Sequence, residues 1–164
     1  MRNLIAVTVA ALVIQLGMPY THACGDKTMR VRTGVRFFYR AEAAKHPSKI
    51  LIYSAALPTG KANDLRDYLN NLGHKAAARD DVGSIKNDLR TSHYDLVLTN
   101  LAEAPELQKQ VESSTPSTVV VPVLFKAEEK TAAKQYKVIV NKPRDGEDFL
   151  VAVWQVMKSQ SKKS

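Results

Sequence analysis

Between residues 49 and 158 the chain alternates between short apolar runs and longer segments whose apolar residues recur every three or four positions. Continuous apolar runs of this length are typical of strands that are buried on both faces of a parallel sheet. The wider spacing is typical of amphipathic helices. The predicted strands cover residues 50–53, 75–79, 94–99, 118–125 and 137–141, and the predicted helices cover residues 63–72, 82–90, 103–112, 127–135 and 145–158.

Five strands that alternate with five helices predict an α/β protein built on a single three-layer, doubly wound parallel sheet. The chain length of 164 residues fits one such domain. Gly73 follows the first helical stripe and is expected to end that helix. Pro122 is awkward for a central strand because it has no N–H to donate. Trp154 shares the apolar stripe of the last helix and is expected in the core.

Residues 1–23 have the pattern of a secretory signal peptide. Arg2 precedes an apolar stretch over residues 4–18, and Pro19 and a small residue, Ala23, follow it. The stretch is shorter than the roughly 20 residues that a membrane span needs, although an uncleaved anchor is the alternative. We therefore expect an exported protein, periplasmic or secreted, with cleavage after Ala23.

Cys24 is the single cysteine of the chain and would be the first residue after cleavage. One cysteine excludes an intramolecular disulfide and a cysteine-based zinc cluster. Cys24 stands where a lipoprotein carries its lipid, but Thr21 and His22 fit a lipidation signal poorly. Lipidation in the envelope, a disulfide to another chain and a free thiol are therefore all open.

Residues 24–48 form a basic lead-in segment in which arginines alternate with aromatic and β-branched residues. One interpretation is an anion-binding arm. The other is a strand or loop that packs its apolar residues on the domain and leaves its arginines in water. Residues 159–164 are a polar, basic tail, which we expect to be frayed. The whole chain has 24 Lys and Arg against 16 Asp and Glu, a net charge of +8.

The blocks SKILIYSAAL, HYDLVLTNL, VVVPVLFKA and YKVIVNKPRDGEDFLVAV resemble, in their order and spacing, the receiver domain of bacterial response regulators. The resemblance covers residues 49–158. It implies a flavodoxin-like fold with strand order 2-1-3-4-5. As an alternative fold, one lobe of a periplasmic binding protein also has parallel α/β layers, but the chain is too short to supply the second lobe.

The resemblance also implies where a site would lie. Receivers hold Mg²⁺ with an acidic pair after the first strand and accept phosphate on an Asp that ends the third strand. A Thr or Ser after the fourth strand and a Lys-Pro after the fifth complete the site. In this chain the matching positions are Ser54, Ala55, Asn100, Lys126 and Lys142.

These departures argue against receiver chemistry. A hard divalent cation prefers anionic oxygens, which Ser54 and Ala55 do not supply. The amide of Asn100 is not a phosphoryl acceptor, because that role needs a carboxylate nucleophile. Lys126 and Lys142 would instead form a small anion pocket with Asn100, or Lys142 would simply keep its ammonium in water. The sequence therefore predicts no metal and no cofactor.

The remaining candidate residues carry weaker signals. His46, His74 and His93 lack metal-ligand spacing, and we expect them to be solvated. Asp95 stands at the start of the third strand, which is the wrong end of the sheet for the receiver site. The sequence contains neither a nucleophile elbow nor a phosphate-binding loop motif. We therefore predict that the protein is not an enzyme.

Three functions stay open on the sequence. The first is a non-catalytic pseudo-receiver that cannot be phosphorylated and that binds or scaffolds another envelope protein. The second is a binder of a small anion or ligand at the carboxyl edge of the sheet. The third is salt-sensitive attachment to anionic envelope surfaces. Nucleic acid is not an expected partner, and membrane contact would require lipidation at Cys24 or the basic segments.

Overall fold

The computed structural model describes residues 38–42, 45–126 and 133–161. The predicted signal peptide, Cys24 and most of the lead-in segment lie outside the described residues. The part of the lead-in that is described includes residues 38–42, which are helical. The expectation of a strand or loop is wrong for those residues.

The domain alternates strands with helices as predicted. The strands are β1 (Lys49–Tyr53), β2 (Lys75–Arg79), β3 (Leu96–Asn100), β4 (Val119–Leu124) and β5 (Val140–Asn141). The helices are α1 (Lys61–Asn71), α2 (Val82–Thr91), α3 (Ala104–Ser114) and α4 (Gly146–Ser161), and short 3-10 turns cover Ser54–Ala56 and Ala133–Gln135.

All four strand pairs are parallel, and the strand order is β2-β1-β3-β4-β5. The predicted fold class and strand order are therefore confirmed. Alternate residues of each strand face opposite sides of the sheet. Ile50, Ile52 and Leu98 pack with α1 and α4, whereas Leu51 and Val97 pack with α2 and α3. The apolar runs are continuous because both faces of the sheet are covered.

Pro122 occupies a central strand without loss of a hydrogen bond to β3. The amide of Val119 donates to the carbonyl of Asp95 on the β3 side, at 3.0 Å. Backbone groups alternate sides along a strand, so the nitrogen of Pro122 faces β5 instead. Pairing with β5 begins only at Val123, opposite Val140. At this position no neighbouring strand needs a backbone N–H from β4, so the lack of an N–H in proline costs no hydrogen bond of the sheet.

Several boundaries differ from the sequence-based prediction. The last strand is only two residues long, and most of the predicted helix over residues 127–135 lies outside the described residues. Helix α4 continues to Ser161, so the first three residues of the predicted tail are helical. Gln160 in that last turn donates from Nε2 to the carbonyl of Ser117 at 2.8 Å. Gly73 follows α1 with a φ of 93°, the left-handed conformation expected after a helix.

The prediction that the histidines are solvated is wrong for His74. Its side chain is only 4% exposed. The backbone amide of Ser48 donates to His74 Nδ1 at 3.0 Å, which ties the turn before β2 to the residue before β1. His46 and His93 are exposed, as expected. Trp154 is half-buried rather than fully in the core.

Candidate functional site

The carboxyl end of β1 carries no charge. Ser54 and Ala55 enter the 3-10 turn Ser54–Ala56, which closes when the amide of Leu57 donates to the carbonyl of Ser54 at 3.1 Å. Ser54 is half-buried and Ala55 is exposed. The backbone thus makes a tight turn at this edge, but the two side chains offer only a hydroxyl and a methyl group.

Asn100 ends β3 and uses its side chain to shape the next loop. Its Oδ1 accepts the amide hydrogen of Glu103 at 2.9 Å. This contact satisfies one of the backbone donors at the start of α3, which begins one residue later. Asn100 is half-buried. In this arrangement the amide oxygen has a structural partner.

Lys126 and Lys142 follow β4 and β5 and are both exposed. The amide of Lys142 donates to the carbonyl of Leu124 at 2.7 Å, which holds the two strand ends together. Lys142 has a φ of 49°, a left-handed conformation that is uncommon for a residue other than glycine. The peptide between Lys142 and Pro143 is trans.

The sheet register brings these positions to one edge. Ile52 lies opposite Leu98, Asn100 lies opposite Val123, and Leu124 lies opposite Asn141. Ser54, Asn100 and the residues after β4 and β5 therefore share the carboxyl edge, as the sequence predicts. Lys142 follows β5, which lies two strands away from β3, and neighbouring strands are about 4.8 Å apart.

The cavity at this edge lies beside the predicted pocket. It has a volume of about 440 Å³ and lies between the N-terminal ends of α1 and α4. Its lining residues include Leu57, Lys61, Phe125, Pro143 and Arg144, but not Asn100, Lys126 or Lys142. The sequence pattern did not indicate Lys61 or Arg144 as site residues. The signal that could have indicated them is their position at the start of the helices that follow β1 and β5.

Carboxylates lie close to both of these basic residues. Asp64 accepts a hydrogen bond from Lys61 Nζ at 3.1 Å. Asp148 Oδ2 accepts the amide hydrogen of Arg144 at 2.7 Å. Asp145 also lines the cavity. The cavity therefore mixes both signs of charge around an apolar floor.

The acidic groups of the described residues do not form a metal site. Within residues 38–42, 45–126 and 133–161, no three His, Cys, Asp or Glu side chains are grouped to hold a metal ion. Asp95 lies at the amino end of β3, where its Oδ2 accepts the amide hydrogen of Lys49 at 2.7 Å. This confirms its predicted place at the opposite edge from the receiver site.

Solved structures of receiver domains resemble this chain. A CheY-like response regulator receiver domain protein from Methanospirillum hungatei has a TM-score of 0.61 at 16% identity, and the match covers 73% of this chain and 100% of that one. The described domain has the receiver fold. The signal receiver domain of an HD domain-containing protein from Pseudomonas fluorescens gives 0.57 at 21% identity, covering 71% of this chain and 90% of that one.

A receiver domain from Methylobacillus flagellatus gives a TM-score of 0.51 at 20% identity, covering 70% of this chain and 99% of that one. At these identities the likeness is one of fold. No protein-family model matches the chain, and no curated protein matches it. Among the described helices of this receiver-fold domain, none is both long enough and apolar enough to cross a membrane.

Proposed function

We propose that this protein is an exported, non-catalytic receiver-fold module that cannot be phosphorylated and that acts by binding another protein of the envelope. The observation that carries the proposal is Asn100. It ends β3, where the receiver resemblance requires the phosphoryl acceptor, and its Oδ1 already accepts the amide hydrogen of Glu103. An amide in this place has no carboxylate oxygen with which to attack phosphorus.

The end of β1 supports the same proposal. Ser54 and Ala55 stand where a receiver holds its acidic pair, and they contribute no negative charge toward Mg²⁺. Without the cation, the charge that develops on a transferring phosphoryl group would not be neutralised. The two ingredients of receiver chemistry are thus missing from adjacent strand ends.

Export rests on the first 23 residues, whose charged start, apolar centre and small-residue exit are typical of a signal peptide. An exported chain would not meet the cytosolic kinases that phosphorylate receivers. A module of this fold would then be retained for association rather than for phosphotransfer. Its partner would be a protein of the periplasm or envelope.

The proposal is tested by incubating the purified chain with Mg²⁺ and acetyl phosphate and measuring its intact mass. We expect the wild-type mass to stay unchanged. The triple variant Ser54→Asp, Ala55→Asp, Asn100→Asp restores the carboxylates at the same strand ends and should gain a phosphoryl adduct. The control variant Ser54→Asn, Ala55→Asn, Asn100→Asp keeps similar side-chain volumes at positions 54 and 55 without the charges. It should gain no phosphoryl adduct.

A Mg²⁺-dependent adduct on the wild-type chain would overturn the proposal. The alternative function is the binding of a small anion at the carboxyl edge of the sheet. Thermal melting distinguishes it from protein association. A saturable rise in Tm with inorganic phosphate that is lost in Lys142→Ala would favour that alternative. A Tm that does not change with inorganic phosphate would argue against anion binding and would favour protein association.

A further inference from the structure

A second cavity lies at the amino edge of the sheet, opposite the receiver site. It has a volume of about 320 Å³ and lies between the helical residues 38–42 and the part of α4 from Leu150 to Ser161. Small-molecule sites in proteins typically begin at about this size, and most are lined by apolar and aromatic side chains with a few polar groups. This cavity follows that pattern.

Its walls are aromatic and aliphatic. Phe38, Tyr39 and Trp154 meet edge to face, with ring centroids 5.5–5.8 Å apart. Leu150 and Met157 complete the apolar wall. Phe38 keeps 48% of its surface exposed. The rings prefer such edge contacts, and they present apolar surface to a flat guest.

His74 adds a polar group to the lining. Because Nδ1 accepts the amide hydrogen of Ser48, the proton of the neutral ring is carried by Nε2. Nε2 is buried and has no hydrogen-bond partner among the described residues. Burial also lowers the pKa of His74, which favours the neutral ring. The neutral ring therefore adds no charge to the cavity wall.

The rim carries a positive charge. The Nζ of Lys158 lies 4.6 Å from the centroid of the Trp154 ring, and Lys158 forms no ion pair with the described residues. The carboxylate of Glu42 on the same rim is engaged by Lys45 at 2.9 Å. The balance of charge at the entrance therefore favours an anionic guest.

We propose that this cavity binds a small aromatic monocarboxylate. The ring of the ligand packs against Trp154 and Phe38, and its carboxylate oxygens accept hydrogen bonds from the Lys158 ammonium. A volume of about 320 Å³ suits a small ligand, the aromatic walls select a ring, and the Lys158 ammonium selects the negative charge. The site is independent of the proposed function, since it lies at the other edge of the sheet.

The single tryptophan of the chain is Trp154, so its fluorescence reports directly on this cavity. The full chain is titrated with phenylacetate, with toluene as the ring alone and with acetate as the carboxylate alone. We expect a saturable fluorescence change with phenylacetate at concentrations where acetate gives none. Toluene should bind more weakly than phenylacetate.

Three variants, each checked for folding by circular dichroism, locate the site. Lys158→Met keeps the apolar stem without the charge and should weaken phenylacetate binding by about threefold or more, but not toluene binding. Phe38→Ala should weaken both. Lys109→Met removes an exposed lysine from α3, on the other face of the sheet, and should change neither.

The proposal is overturned if phenylacetate gives no saturable change. It is also overturned if the affinity for phenylacetate is the same in Lys158→Met and Phe38→Ala as in the wild type. Tighter binding of toluene than of phenylacetate would reject the carboxylate as the recognised group. None of these results bears on phosphorylation, so failure here and failure of the proposed function are separate outcomes.

Discussion

Burial decides the chemistry of His74. In the sequence it follows Gly73 in a turn, a position typical of a solvated histidine. In the structure Ser48, the turn before β2 and the end of α4 meet around it, and Ser48 Oγ contacts Met157 Sδ at 2.8 Å. Desolvation lowers the pKa of the imidazole, and the nearby carboxylate of Asp95 opposes this effect only in part.

This lowered pKa makes stability depend on pH. In the unfolded state the pKa of the histidine is about 6.5, and in the folded state the pKa is lower. Below about pH 6.5 the unfolded state therefore binds more protons than the folded state. The contribution of neutral His74 is therefore fully present above about pH 6.5 and is lost as the pH falls toward the folded pKa. We expect a lower free energy of unfolding at pH 5 than at pH 7.5, measured by urea titration.

His74→Asn tests the assignment, because its Oδ1 can accept the amide hydrogen of Ser48 but does not titrate. This variant should show a smaller loss of stability between pH 7.5 and pH 5 than the wild type. His46→Asn, which removes an exposed histidine, is the matched control and should keep the wild-type loss. Equal losses in His74→Asn and the wild type would contradict a role for this imidazole.

At the scale of elements, α4 packs on α1 through one close approach. Gly146 begins α4, and a methyl group built on its Cα would lie 2.5 Å from Cδ1 of Tyr68 on α1. Tyr68 is half-buried there. Arg40 also donates to Glu147 in the first turn of α4 at 2.7 Å, which ties the helical residues 38–42 to the same end of the helix. This corner brings three segments together.

Gly146→Ala should therefore destabilise the protein, although alanine normally favours a helix over glycine. Insertion of a methyl group against the Tyr68 ring is expected to cost about 1–3 kcal/mol of unfolding free energy. The measurement is chemical denaturation of the variant and the wild type.

Double-mutant analysis separates this steric effect from other causes. In a Tyr68→Ala background the ring is gone, and Gly146→Ala should be neutral or stabilising. An equal cost of Gly146→Ala in both backgrounds would show that contact with Tyr68 is not the reason.

At the scale of the whole molecule, the receiver fold accounts for residues 49–126 and 133–161. The proposal of export depends on the sequence of the N-terminal residues alone. Residues 1–23 have the composition of a signal peptide. The proposed cleavage would take away one positive charge, Arg2, and would leave the chain strongly basic. A basic chain in the envelope would meet anionic surfaces, and such attachment weakens as salt rises.

The intact mass of the protein from a native-host envelope fraction tests the proposed cleavage and export. We expect a chain that starts at Cys24. A diacylglycerol-sized addition to that mass would identify a lipid-anchored protein, and an unmodified mass would identify a soluble exported one. A full-length chain that starts at Met1 would contradict cleavage after Ala23 and would favour the uncleaved anchor instead.

The sequence by itself determined the alternation of strands and helices, the parallel sheet and the placement of Asn100, Lys126 and Lys142 at one edge. These features follow from local periodicity and from the rule that parallel strands end together. Resemblance to receivers added the strand order. Local periodicity did not determine where the last elements end. β5 is short because its pairing with β4 is short, and α4 is long because Gln160 in its last turn contacts Ser117.

Only the tertiary structure decided the burial of His74, the tolerance of Pro122 and the lining of the cavities. Each depends on segments that are distant in sequence and meet in space. The lining of the amino-edge cavity joins Phe38 to Trp154, and local periodicity carries no information about such a contact. The partner that Oδ1 of Asn100 finds in Glu103 likewise depends on the loop path, which no hydrophobic pattern specifies.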